Sequence, residues 1–261
     1  MKPAATVWRP VAHWVSRWQQ WRDDAAVARR PIRDDLWKRT LVRYPFLQRS
    51  DPAEQALLRR MSSLFLDRKE FDAAPGVRLT DDVAVAVAAQ ACLPVLRLGL
   101  DAYAGFVGIV LHPDAVVARR SVVGDDGIVH EYDEELAGEA MEGGPVMLSW
   151  RDVRGAGRSA ADGYNVVIHE FAHVLDMAQG FSAGNAVVHE QHAAFAARVD
   201  AGAELQLDPY GAEAPEEFFA VSSEAFFVNA RPFKEQHPVM HEVLCGFYRQ
   251  DPAAAQPPGR P

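Results

Sequence analysis

Cysteine is scarce in this chain: its 261 residues include only Cys92 and Cys245, far apart and each in apolar surroundings. No disulfide framework is expected from such a pair, and a reducing, cytoplasmic setting is the default. Long apolar runs are missing too. No stretch reaches the roughly 18 uninterrupted apolar residues of a membrane span. The N-terminus lacks the continuous apolar core of a signal peptide. Basic charge is in deficit, with 27 Lys and Arg against 36 Asp and Glu, a net charge of −9. That balance argues against nucleic-acid binding as the main activity. Internal repeats are absent, and a hydrophobic content of 49% supports a sizeable core.

The basic residues that are present gather at the start. Residues 1–33 hold seven Lys or Arg against two Asp, and four of the six tryptophans. Trp14, Trp18 and Trp21 fall at i, i+4 and i+7, one stripe of a helix. Such a stripe suits a membrane surface or a docking partner. An arm folded against the domain, or a poorly ordered extension, is the plainer expectation. The chain is divided accordingly into a Trp/Arg-rich arm over 1–35, a domain over 36–252, and a Pro-rich tail over 253–261 expected to be disordered.

Within the domain, Asp51-Pro52-Ala53-Glu54 marks a helix start, with Pro at the first position and a capping-box glutamate. Leu57, Met61, Leu64 and Phe65 give that helix its buried stripe. Residues 82–98 read as an Ala/Val-rich helix, bent near Pro94. The stretches GFVGIVLHP, GIVHEY and GPVMLSW (Gly144 to Trp150) read as short strands. Helices return after Gly163 and continue to the end. Helices, a small sheet, then helices again predict an α+β domain.

One segment stands out, VIHEFAHVLD from Val167 to Asp176. Its apolar residues leave few gaps, so it reads as a buried helix, with Asp162 and Gly163 as caps at its start and Gly180 near its stop. On that helix His169 and His173 are i and i+4, and both imidazoles leave one face. This spacing lets two nitrogens reach one ion at the roughly 2.0–2.1 Å that zinc prefers. Glu170 sits about 100° round the helix, beside the metal rather than on it, where it can take a proton from water. This is the H-E-x-x-H half-site of metal-assisted hydrolysis. Satisfied core histidines are the alternative, but unpaired imidazoles are costly in a buried helix.

A catalytic zinc needs three protein ligands and an open position. The extended form H-E-x-x-H-x-x-G-x-x-H is excluded, because Asp176 and Gln179 stand where its Gly and third His belong. A glutamate from a downstream helix is the usual alternative. The stretch DPYGAEAPEEFFAVSSEAFF, Asp208 to Phe227, offers Glu213, Glu216, Glu217 and Glu224. Glu217 and Glu224 are i and i+7 and share a face, while Glu216 points about 100° away. Geometry leaves Glu217 and Glu224 as the leading pair.

These motifs, together with CLPVLRLGLDAYAGF, GYNVVIHEFAHVLDMAQG and FYRQDP, resemble the Mlc titration factor A family of bacterial zinc peptidases from about residue 36 to 252. The resemblance implies a zincin-like metallopeptidase fold of the gluzincin type, similar to the catalytic domain of anthrax lethal factor, with a small mixed sheet. It implies a Zn²⁺ cofactor held by His169, His173 and Glu217, leaving Glu224 as an acid that supports the ligands or the fold. It also implies that Tyr210, seven residues before Glu217, donates its hydroxyl to the developing oxyanion. Glu170 is then the general base. Asp176, i+3 from His173 and i+7 from His169, faces the ligand side and is read as a carboxylate accepting an imidazole N–H. Asn165, one turn before His169, is a weaker candidate for that role.

The strand Gly144–Trp150 is expected to line the cleft and to bind peptide substrate by β-addition. The family implies aminopeptidase activity on small neutral residues. The G-x-M-E-N motif of well-known zinc aminopeptidases is absent, and the nearest stretch reads GGPVML. The rival reading is a regulatory protein that binds an Mlc-like transcriptional repressor of sugar-uptake genes. Among the other histidines, His189 and His192 have the wrong spacing for a helical pair, and His237 and His241 are expected at a surface helix start.

Overall fold

The computed structural model describes residues 21–123, 129–141 and 143–255, with no account of the side chains of 116–123, 129–136 and 255. Trp14 and Trp18 and most of the tail lie outside these residues. Trp21 is exposed, but the helical residues 21–29 lie against the domain. Ala26 and Ile32 are buried, and Asp23, Asp24 and Arg29 pair with Arg68, Arg60 and Asp67 of one neighbouring helix.

That neighbour is α2 (Pro52–Arg68), which follows α1 (Asp34–Arg43). It starts as expected, Asp51 accepting the N–H of Ala53 and Pro52 leading the first turn, while Glu54 pairs with Arg97 rather than closing a capping box. Helix α3 (Asp81–Cys92) starts at Thr80, which accepts the N–H of Val83. It is built of Ala and Val and is buried on nearly every side, so small residues place it at the centre of the helical layer. It does not run bent through Pro94. It ends at Cys92: Leu93 keeps right-handed helical angles and bonds back to Gln90, but Pro94 has no N–H to continue the ladder, and turns follow.

The main sheet has the order β1 (Glu70–Ala73), β2 (Gly108–His112), β6 (Val146–Ser149), β5 (Gly138–Ala140). Strands β1, β2 and β6 are parallel, and β5 runs antiparallel at the edge. Ile109 and Leu111 of β2 lie level with Val146 and Leu148 of β6, and all four are buried. A hairpin of β3 (Val116–Val123) and β4 (Val129–Leu136) forms a separate two-stranded sheet.

Helix α4 (Trp150–Ser159) follows β6 directly, capped by Ser149. Helices α5 (Val166–Gln179), α6 (Ala186–Asp200), α7 (Pro215–Val228), α8 (Ala230–Gln236) and α9 (Pro238–Tyr248) follow, with single helical turns at Phe181–Gly184 and Pro252–Ala255. The start of the tail expected to be disordered is instead helical, with Ala253 buried. Phe171, on the rear of α5, sits in a cluster with Phe65, Tyr103 and Phe106, ring centroids 5.0–5.7 Å away. Edge-to-face packing of this kind fixes the rotation of α5 about its axis. The molecule is mixed α+β, as the alternation of elements predicts.

Candidate metal centre

The cap of helix α5 lies three residues later than Asp162. Asp162 and Gly163 belong to a preceding 3-10 turn, and Asn165 is the cap, its Oδ1 accepting from the N–H of Ile168 at 2.9 Å. The same side chain donates through Nδ2 to Gln90 Oε1 of α3 at 2.8 Å, and the Asn165 backbone N–H donates to Glu224 Oε2. Both polar ends of the amide are therefore engaged in burying the start of the helix. Gly180 ends it in the left-handed region at φ 59°, as its position predicts.

His169 and His173 leave one face of α5 with their Nε2 atoms 3.1 Å apart. Glu217 Oε2, from the first turn of α7, lies 3.2 Å from each of them. Ligands at roughly 2.0–2.1 Å in tetrahedral geometry stand about 3.3 Å from one another. Two nitrogens and one carboxylate oxygen thus form a triangle that fits a zinc ion, and the three side chains are only partly buried. Glu224, the other glutamate on that face, is instead behind His169, accepting from Nδ1 at 2.8 Å. That bond directs the lone pair of Nε2 towards the triangle. Burial opposes a charge on His169, but Glu224 and Glu217 outweigh it and raise its pKa well above the ordinary imidazole value. Burial likewise acts to raise Glu217, yet hydrogen bonds from both histidines overcome it and hold the carboxyl at about 2.

Glu170 lies under the edge strand β5. A Cβ on Gly138 would come within 2.5 Å of its carboxylate oxygen and 2.6 Å of its Cγ, so glycine is what lets strand and carboxylate approach. Burial pushes the Glu170 carboxyl up to about 7, against the lowering influence of His169 and His173. Sequence reasoning missed Gly138, although a glycine inside a strand is a known mark of close backbone approach.

A cleft of about 420 Å³ opens over these groups, lined by Gly138, His169, Glu170, His173, Tyr210 and Glu217 among others. Tyr210 stands on the 3-10 turn Pro209–Ala212, whose start is held by Asp208 Oδ1 accepting the Tyr210 N–H at 3.0 Å. Its ring centroid is 6.1 Å from that of His169. Glu216 is exposed on the rim, and Glu213 lies away from the triangle.

Three expectations change. Asp176 borders the cleft, but its carboxylate accepts from the N–H of Ser182 at 2.6 Å and from the Ser182 hydroxyl, stapling the turn after α5. The strand along the cleft is β5, because β6, within Gly144–Trp150, is paired on both sides by β2 and β5. His237 and His241 are buried rather than at the surface, packed against Phe233.

The sequence matches the glucose-regulated metallo-peptidase M90 family over residues 18–249. It is 34% identical to Mlc titration factor A of Salmonella arizonae, over 84% of this chain and 92% of the relative. It is 33% identical to the protein of that name from Klebsiella pneumoniae, over 84% of this chain and 87% of the relative. An uncharacterised Synechocystis protein, slr2042, is 31% identical over 90% of both chains.

Proposed function

The chain belongs to the glucose-regulated metallo-peptidase M90 family, and from that premise we propose that it is a zinc-dependent peptidase of the gluzincin type, with His169, His173 and Glu217 as ligands. The observation that carries this reading is the triangle of Nε2, Nε2 and Oε2 atoms 3.1–3.2 Å apart, with the Glu170 carboxylate beside it. A zincin-like catalytic domain accounts for the helix that bears both histidines and for an antiparallel edge strand above it.

When bound, the zinc ion supplies Lewis-acid polarisation and lowers the pKa of water. Glu170 takes the proton of the attacking water and returns it to the leaving amine, a role that suits a carboxyl poised at about 7. Tyr210 donates its hydroxyl to the oxygen on which negative charge develops. Glu224 keeps His169 oriented through Nδ1. The peptide backbone adds along β5, whose outer edge borders the cleft.

For substrate class, we read an aminopeptidase acting on small neutral residues. A recess of about 200 Å³ behind Tyr210, lined by Ala137, Val166 and Val221, has room for a small side chain. Of its three acids, Asp208 and Glu224 are engaged at the Tyr210 turn and at His169, and the third is Glu170 itself. We read the setting as cytoplasmic from the scarcity of cysteine; among the described residues Cys92 and Cys245 are free, and no helix is long and apolar enough to cross a membrane.

A second reading rests on the name shared by the Salmonella and Klebsiella relatives: binding of an Mlc-like repressor, with peptidase activity incidental. One experiment separates the two. Zinc content and cleavage of an aminoacyl-anilide panel are measured for the wild type and His173→Ala, alongside a pull-down with the repressor. Loss of cleavage with retained capture makes the two functions separate. A zinc-loaded wild type that cleaves nothing on the panel removes the enzyme reading, and equal cleavage with and without zinc removes the zinc-dependent one.

A further inference from the structure

A second group of metal-binding side chains lies at the end of the described fold and shares no residue with the first. His241 and Cys245 are i and i+4 on α9, on one face. Arg249 closes that helix in the left-handed region at φ 54°, which turns the chain and brings Asp251 back over the same face. Gln250 anchors the turn by donating to the carbonyls of Leu93 and Pro94 at 3.0 and 3.1 Å.

The donor atoms converge. His241 Nε2 is 3.4 Å from Asp251 Oδ1, and Cys245 Sγ is 3.9 Å from Nε2 and 3.6 Å from Nδ1. All three ligand atoms lie within 4.8 Å of one another. A separation of 3.4 Å is too long for a good N–H···O bond, which prefers 2.7–3.2 Å. Tetrahedral ligands of one zinc ion stand about 3.3 Å apart for nitrogen with oxygen and about 3.6 Å for nitrogen with sulfur. The Nε2–Oδ1 separation matches, whereas Cys245 Sγ, almost equidistant from the two ring nitrogens, lies beside the imidazole and reaches an ion on Nε2 only by turning about its Cα–Cβ bond.

The surroundings are prepared for this. The imidazole of His241 is buried and held by the rings of Phe226 and Phe233. Asp251 divides its two oxygens. Oδ1 faces His241 and accepts the N–H of Ala254 at 3.0 Å, while Oδ2 faces Lys234 Nζ at 3.7 Å. The carboxylate is thereby fixed in place before any ion arrives, and it is exposed enough for an ion to enter from solvent.

We infer that His241, Cys245 and Asp251 form a second zinc-binding site, independent of the first, which ties the segment after α9 back onto that helix. The mixed sulfur, nitrogen and oxygen set suits Zn²⁺ rather than Mg²⁺ or Ca²⁺. On binding, Cys245 coordinates as thiolate and its proton goes to solvent.

Cobalt distinguishes the two sites, because only this one contains sulfur. Full-length protein, stripped with a chelator and titrated with Co²⁺, is expected to take up two equivalents and to develop thiolate-to-cobalt absorption in the near ultraviolet. Cys245→Ala should abolish that band and lower the stoichiometry to one. Asp251→Asn, at a partly exposed position, should lose the same equivalent without loss of fold by circular dichroism. His173→Ala should lose the other equivalent and keep the band. A wild-type protein without the band overturns the inference, and so does a band that survives Cys245→Ala, which would make Cys92 the thiolate.

Discussion

Gly138 and Glu170 are a matched pair: the strand that borders the cleft passes so close above the carboxylate that a single Cβ at residue 138 would lie 2.5 Å from its oxygen. The edge strand and the reactive acid are held in one fixed relation, and a hydrogen in place of a methyl group is the condition for it. Gly138→Ala is therefore expected to displace Glu170 or lift β5. A misplacement of about 1 Å at a reacting group costs on the order of 10² in rate. The variant should keep its zinc and its circular dichroism spectrum and lose about that factor in kcat. Wild-type turnover in Gly138→Ala would show that strand and acid are free to adjust.

The two glutamates on α7 should behave differently on substitution. Glu217→Ala removes a ligand and is expected to empty the centre. Glu224→Gln keeps an acceptor near His169 Nδ1 but loses the negative charge behind it. Changes of that kind weaken metal binding by about 10–100-fold rather than abolish it. Zinc affinity by chelator competition tests the order, and the reverse order would exchange the roles of the two residues.

Glu170, as the proposed general base, is expected to set the acid side of the pH profile. A general base must be ionised, so kcat/KM should fall as pH drops through the pKa of Glu170, about 7 without an ion. The positive charge of a bound ion lowers that value further, so the acid midpoint should lie at or below about 7. Glu170→Gln should retain zinc, lose turnover and have no residual limb. A profile of unchanged shape in a still active Glu170→Gln protein would assign the limb to another group.

Tyr210→Phe deletes one hydroxyl and leaves the ring packed near His169. Loss of a single oxyanion donor typically costs ~10²–10³ in kcat, and the lower end is expected because a bound ion polarises the same oxygen. Zinc content and Tm should be unchanged, and kcat should fall more than KM rises. Hydrolysis at the wild-type rate would return Tyr210 to the role of a turn residue.

The helix that carries His169, Glu170 and His173 is legible in the chain because i, i+4 spacing and an apolar rear face are properties of one helix. So are the Asp51-Pro52 start and the Gly180 stop, each written in the residues that perform it. Local pattern was less reliable where neighbours competed. Asp162 looks like a cap, but Asn165 is the one whose amide also meets Gln90. Asp176 faces the ligand side of its helix, but the turn after Gly180 brings Ser182 to it first.

What the sequence by itself determined is the chemistry available: two imidazoles on one face of a helix, an acid about 100° round from them, and two further glutamates seven residues apart on another helix. Periodicity cannot choose between Glu217 and Glu224, since both share a face. The choice depends on how α7 packs against α5, which puts one carboxylate 3.2 Å from both Nε2 atoms and the other on Nδ1. The same holds for β5 as the cleft strand. Each is a meeting of elements far apart in the chain, set to tenths of an ångström by the packing of buried side chains. Local spacing carries no information about that distance, so only the tertiary structure decided it.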